Sequence, residues 1–488
     1  MFSVAWSLVV LVCAYISYSF VSWYRLSHVP GPFWAGLTSF WLIREVLFGR
    51  QPITLRDVTN KYGTIARVGP NAVVTNDPEI LRKIMSVRSS YTRGPWYDAW
   101  KLEAGRQNVF SMRDEVAHTK LRSKMTAGYS GKENESMEKT IESQIANLVK
   151  LIRSKYISTT DSYRPVDLAE KLQYFTLDTI SDLAFGKPLG YLQQDADPYD
   201  YLEAIDASMP VYSTLGNLPW LANLLHSPLF RRFLPSERDK GGFGAIIGFS
   251  KQVVNSRFAP NAISQPDMLG SFIRHGMTKP EAYSESLIQV VAGTDTTATG
   301  LKTIFLHVMT RPSIYRKLQA EIEQGLASGA ISSPIQDAEA RRLPYLQAVI
   351  KEGLRIRSPA AGTFFKSVPR GGDVLGEIAL PGGTQIGVSH LSFLHSKAIF
   401  GHDAETFRPE RWIEAAPEHL GKMNRVVDTI FHSGRFQCLG KNVALMEYNK
   451  IFVELLRRFE FEVVDAERPA RITNAGYANA VTPRFAAK

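Results

Sequence analysis

The run FHSGRFQCLGKN, from Phe431 to Asn442, holds Cys438, one of only two cysteines in the chain. A thiolate that ligates a metal must be deprotonated, shielded from water and fixed in direction. Gly434 permits a backbone turn that a side chain would obstruct, and Gly440 permits close approach of a flat ligand. The apolar run VALMEYNKIFVELL that follows reads as a helix starting just past the cysteine. Its free N–H groups and positive end favour a negative sulfur, and Arg435 and Lys441 add positive charge. A cluster would need more cysteines and zinc more Cys or His, so one axial thiolate to haem iron is the metal chemistry this loop suits. The competing reading is a small buried hydrophobe with no ligand.

Two further segments carry chemistry that the loop could use. AGTDTT, Ala292 to Thr297, lies within the mostly apolar run QVVAGTDTTATGLKTIFLHV. Asp and Thr inside such a helix can bond to its backbone and distort it, and a widened turn would leave room for a small ligand. A solvated face or a packing seam of small residues explains the same composition. EGLR, Glu352 to Arg355, puts an acid and a base on one helix face, where they can pair.

The elements that must position these residues are mainly helical. Periodic apolar patterns predict helices over Glu135 to Tyr156, Tyr283 to Met309, Ser313 to Ala327, Leu343 to Arg357 and Val443 to Phe459. Strand-like pieces occur early, in TIARVGPNAVVTND, and late, in EIALPGGTQIGVS, which implies one sheet joining distant parts of the chain. No repeat or Gly/Ser linker divides residues 51–488, so they form one large, mainly α domain with a small β region.

The 488 residues are 44% hydrophobic and 21% charged, which excludes a disordered chain. Two cysteines cannot build a disulfide framework, so the body belongs in a reducing compartment. The net charge of +10 is spread rather than clustered, without zinc-finger spacing or a basic heptad helix, which argues against nucleic-acid binding. Phe2 to Tyr24 carries no charge and is long enough, as a helix, to cross a hydrocarbon core of roughly 30 Å. Aromatic residues near its ends and Arg25 beyond it suit a retained transmembrane anchor (residues 2–24) with the body on the cytosolic side. A cleaved signal peptide is the alternative. HVPGPF then begins a proline-containing connector, residues 25–50.

FHSGRFQCLG resembles the haem-binding loop of the cytochrome P450 superfamily, F-x-x-G-x-R-x-C-x-G. Phe431, Gly434, Cys438 and Gly440 fall in register, while Phe436 stands where the family has arginine and Arg435 lies one place earlier. The resemblance implies haem b with Cys438 as axial thiolate and metal ligand, and Arg435 as a propionate contact from a neighbouring position. It gives Asp295 and Thr296 the role of delivering protons to bound dioxygen. It makes Glu352, Arg355 and Arg411, the last from FRPERW, a structural network locking the proximal core. HTKLR aligns with the family's W-x-x-x-R, so His118 and Arg122, with Lys366, become further propionate candidates.

What the resemblance implies is a membrane-anchored haem-thiolate monooxygenase of the endoplasmic reticulum. Electrons would come from NADPH through a separate cytochrome P450 reductase, with cytochrome b5 as a further donor. The style of the chain is similar to fungal members of the benzoate-hydroxylase and pisatin-demethylase type. That similarity implies a hydrophobic small-molecule substrate from secondary metabolism (polyketide, terpenoid or indole). Two other readings stay open: a haem-thiolate isomerase or dehydratase that acts on a peroxide without a reductase, and a non-catalytic haem sensor or carrier.

Overall fold

The computed structural model describes residues 2–134, 136–465, 467, 470–474, 479–483 and 485–487. Three helices open the chain: α1 (Phe2–Arg25), α2 (Phe33–Leu37) and α3 (Phe40–Leu47). The segment read as a connector thus holds two short helices. Several side chains of the N-terminal segment lie outside the described ones. Among the described residues no helix is long and apolar enough to cross a membrane.

The sheet forms as its late and early patterns require. Strands β1 (Ile65–Gly69) and β2 (Ala72–Thr75) pair antiparallel around a tight turn. Three more strands, β3 (Thr92–Arg93), β4 (Lys366–Ser367) and β5 (Gln385–Val388), complete the order β1-β2-β5-β4-β3. β5 runs parallel to β2, with Val73 opposite Ile386 and Thr75 opposite Val388. At the other edge Arg93 lies opposite Lys366. Two cations from distant sequence thereby share one sheet edge.

The helices that carry the site are α4 (Glu115–Tyr129), α5 (Leu168–Phe185), α6 (Tyr201–Gly216), α7 (Pro219–Leu225), α8 (Lys279–Met309), α9 (Pro344–Ile356) and α10 (Lys441–Leu456). Their starts follow local chemistry. Asp114 caps α4 by accepting from the Ala117 N–H, and Asp167 caps α5 by accepting from the Glu170 N–H. Glu281 reaches back to the Thr278 N–H at the head of α8, beside Pro280 in its first turn. α8 spans 31 residues and is buried along most of its length. It packs on α5, α9 and α10 and so forms the axis of a single, mainly helical domain. The predicted helices all exist, with ends displaced by a few residues.

Candidate functional site

The cysteine loop is closed by its own backbone: the Cys438 N–H donates to the Phe431 carbonyl at 2.8 Å. Gly434 sits at φ +63°, and a Cβ there would lie 2.5 Å from the Met85 carbonyl oxygen, so no other residue fits the turn. Gly440 is the N-cap of α10, and a Cβ on it would face the Cys438 sulfur at 3.9 Å. The sulfur opens onto a cavity of about 210 Å³. Burial pushes the Cys438 thiol pKa up, partly offset by the Gly440 and Lys441 N–H groups and by the charges of Arg122 and Lys441. The helix end thus acts as expected but does not by itself overcome desolvation.

Around the same cavity stand Arg93, His118, Arg122 and Lys366. Lys366 is buried and donates to the Tyr91 carbonyl at 2.9 Å and the Ile84 carbonyl at 3.2 Å. Burial lowers its pKa to about 8. His118 is buried on α4, and burial followed by the charges of Arg93 and Arg122 holds its pKa down to about 3, so it is neutral at physiological pH. Its Nδ1 has no hydrogen-bond partner among the described residues, and neither does the Nε of Arg93. Arg93 Nη1 donates to the carbonyls of Val109 (2.7 Å) and Met112 (3.0 Å), which pins the loop that brings Val109 and Phe110 to the cavity wall.

Arg435 behaves differently from the sequence expectation. Its guanidinium pairs with Glu115 and donates to the Val87 carbonyl, and it is absent from the cavity lining. Phe436 explains the exchange. Its ring lies 4.3 Å from the Arg93 guanidinium carbon and 4.5 Å from Lys366 Nζ, with the His118 ring 4.8 Å away. A π face stabilises such cations, whereas an arginine at 436 would add another positive charge among them. The cation missing from the loop is present, but it comes from β3.

α8 lines another part of the same cavity. Thr296 lines the cavity between Ala292, Gly293 and Thr297, and its hydroxyl donates to the Ala292 carbonyl at 2.8 Å. Thr294 bonds back to Val290 in the same way, yet the run stays α-helical rather than opening a wide turn. Asp295 points away from the cavity. It accepts from Gln173 on α5 at 2.6 Å and from the Tyr201 hydroxyl on α6 at 3.2 Å. Lys302, one side of the same buried cluster, donates to Gln173. Burial pushes the Asp295 pKa up to about 7, a shift the Lys302 charge opposes. A carboxyl that titrates near neutrality can both hold and release a proton.

Beneath the loop, Glu352, Arg355 and Arg411 come together as expected. Arg355 grips Glu352 through Nε and Nη2, both at 2.8 Å, and Arg411 Nε reaches it at 2.9 Å. The Trp412 Nε1–H and the Arg408 N–H, which sequence reading did not place in the network, supply two further donors at 2.9 Å. Burial would raise the Glu352 pKa, but the bonds and charges of Arg355 and Arg411 hold it below the usual carboxylate range.

A single sulfur and, on the wall of the same cavity, a buried arginine and a neutral histidine with atoms unpaired among the described residues, beside two further cations, fit a flat macrocycle that carries a metal and two carboxylates. Fold and site therefore define a haem-thiolate protein. A sequence profile for Cytochrome P450 matches residues 29–484. The chain is 40% identical over 471 residues to cytochrome P450 monooxygenase ABA1 of Pyricularia oryzae, covering 94% of this chain and 92% of that one. It is 41% identical over 455 residues to cytochrome P450 monooxygenase aba1 of Botryotinia fuckeliana, covering 92% and 89%. Over 482 residues it is 37% identical to cytochrome P450 monooxygenase abl1 of Leptosphaeria maculans, covering 96% and 85%. The chain belongs to the cytochrome P450 family and is a monooxygenase of that family.

Sequence reading did not single out Arg93 or Glu447, both on the cavity wall. Glu447 gave a usable signal: it is an acid in the apolar run after Cys438, and burial pushes its pKa well above the ordinary value. Arg93 gave none, because only strand pairing reveals its neighbours.

Proposed function

We propose that the protein oxidises a hydrophobic small molecule from secondary metabolism, with dioxygen and electrons supplied from NADPH by a separate flavin reductase, and cytochrome b5 as an auxiliary donor. The observation that carries this reading is the placement of Thr296 and Cys438 on the wall of one cavity, backed by a buried carboxyl that titrates near neutrality. Haem, when bound, supplies the redox chemistry that activates dioxygen and oxidises the substrate. Cys438 would bind its iron, and Arg93, Arg122, His118 and Lys366 would hold its carboxylates.

This chain's residues do the rest. The apolar wall, including Phe110, Ile288, Ala292, Ala360 and Phe364, excludes water and orients an apolar substrate. The Thr296 hydroxyl is the proton donor facing the reaction space. Asp295, held by Gln173 and Tyr201, resupplies it by swinging from those partners. A peroxide-dependent isomerase or a haem carrier has no use for such a pair, which favours the monooxygenase reading. We further propose that α1 anchors the protein in the endoplasmic reticulum membrane, with the catalytic domain on the cytosolic side. The charge-free run to Tyr24 and the exposed aromatic and aliphatic side chains of α1 support this.

Reconstitution with a flavin reductase, NADPH and dioxygen tests the reading, and metabolites that accumulate when the gene is deleted supply the candidate substrate. NADPH consumption coupled one-to-one to an oxygenated product is the expected outcome. Peroxide-dependent rearrangement without reductase, or haem binding with no turnover of that metabolite, would reject it.

A further inference from the structure

His432 stands in the cysteine loop just after a short 3-10 turn, Thr429–Phe431, with its backbone at φ +54° and ψ −175°. That region is open to glycine and strained for any residue with a Cβ, and such strain clusters at active sites and ligand clamps. Glycine would serve the turn better, so what the imidazole does has to offset the strain.

The surroundings of the ring point to a ligand. It lies edge-on to Phe364 at 4.5 Å and to His390 at 6.0 Å, measured between ring centroids. His432 borders two spaces: the cavity onto which Cys438 opens, and a surface groove beside Arg82 and Arg425. Among the described residues its ring has no hydrogen-bond partner. Burial, followed by the charges of His390, Arg93 and Lys366, holds its pKa down to about 3. At physiological pH the ring is therefore neutral and carries one N–H donor and one acceptor nitrogen.

Charge explains why a neutral donor suits this loop. The cavity wall already holds the cations Arg93, Arg122 and Lys366, for a cofactor with two carboxylates. An arginine at 436 would add a buried charge with no counter-charge, which is costly. Phe436 avoids that cost by offering its ring to Arg93 and Lys366 instead, but it cannot donate a hydrogen bond. His432, in the same loop and close enough to feel the same two cations, can donate without adding charge.

We propose that His432 is a further cofactor-binding residue: from the cysteine loop it donates a hydrogen bond to a haem carboxylate, the bond that Phe436 cannot make. The inference rests on the reading of this cavity as a haem site.

Haem transfer from the full-length protein to apomyoglobin tests it, with native haem and with haem whose two carboxylates are methyl esters. His432→Gly relieves the backbone and is expected to fold. With native haem it should speed haem loss about ten- to a hundredfold, the range of a hydrogen bond to a charged group. With the dimethyl ester, wild type and His432→Gly should lose the cofactor at the same rate. His432→Phe keeps an aromatic ring beside Phe364 but cannot donate, and should lose native haem as fast as the glycine variant. Native haem lost from His432→Gly at the wild-type rate would overturn the proposal. So would a gap between wild type and His432→Gly that persists with the ester, or wild-type retention by His432→Phe, since either makes the ring a packing element. Wild-type protein that shows no Soret absorption would instead reject the haem reading itself.

Discussion

Two groups of buried arginines serve opposite ends. Around Glu352, each donor from Arg355 and Arg411 meets a carboxylate or a carbonyl, including those of Leu394, Ala404 and Asp403. At the cavity edge Arg93 and His118 keep buried atoms with no partner. Desolvating a polar group without a partner is costly, so a saturated network marks structure and an unsaturated one marks a seat for a ligand. The same residue type therefore carries stability in one place and binding in the other, and satisfaction of its hydrogen bonds tells them apart.

The strongest way to break the open side is Cys438→Ser. It should abolish the red-shifted Soret band of the reduced carbon monoxide complex and all turnover, while the Glu352 network keeps the domain folded by circular dichroism. Survival of the band would remove Cys438 as ligand. On the closed side, Arg411→Ala leaves part of Glu352 unpaired and should cost about 3–5 kcal/mol of stability, read by denaturant titration. If the loss is no larger than for a surface arginine, the network is not the lock it looks like.

Arg93→Ala sharpens the contrast. It should leave the fold in place but weaken haem retention by about 1.5–3 kcal/mol, the range of a charged hydrogen bond, measured by transfer of haem to apomyoglobin. Arg435→Ala is the paired control: it breaks a part-exposed pair with Glu115 and should cost under about 1 kcal/mol, with haem retention unchanged. Equal losses from the two would return the propionate contact to the loop.

The smallest effect concerns the distal polar cluster. Asp295, raised to about 7, is mostly protonated below that pH and ionised above it. Product formed per NADPH should therefore fall as pH rises through about 7, and Asp295→Asn should flatten that profile while Thr296→Ala diverts electrons to peroxide at every pH. The sign for stability is the same. Burial raises the folded-state pKa above that of the unfolded chain, so this group's contribution is full at low pH and is lost as pH rises toward 7. A profile unchanged by Asp295→Asn would take the carboxyl out of the relay.

Much of this was legible in the sequence for local reasons. Helix periodicity, the glycine that admits a positive φ at 434, the helix start after Cys438 and the acid–base spacing of Glu352 and Arg355 are short-range properties, and short-range sterics decide them. The sequence also pointed to the type of ligand, through one cysteine in a glycine-bracketed loop and the family resemblance those residues carry. It could not say which cation faces the cavity. Arg435 and Arg93 are both arginines near aromatic residues in sequence, and only the pairing of β3 with β4 brings Arg93 to Lys366 and Phe436. Nor could it orient Asp295, whose partners Gln173 and Tyr201 sit on separate helices. Partner choice by a buried polar group depends on which elements the fold packs against it, and that is a property of tertiary structure alone.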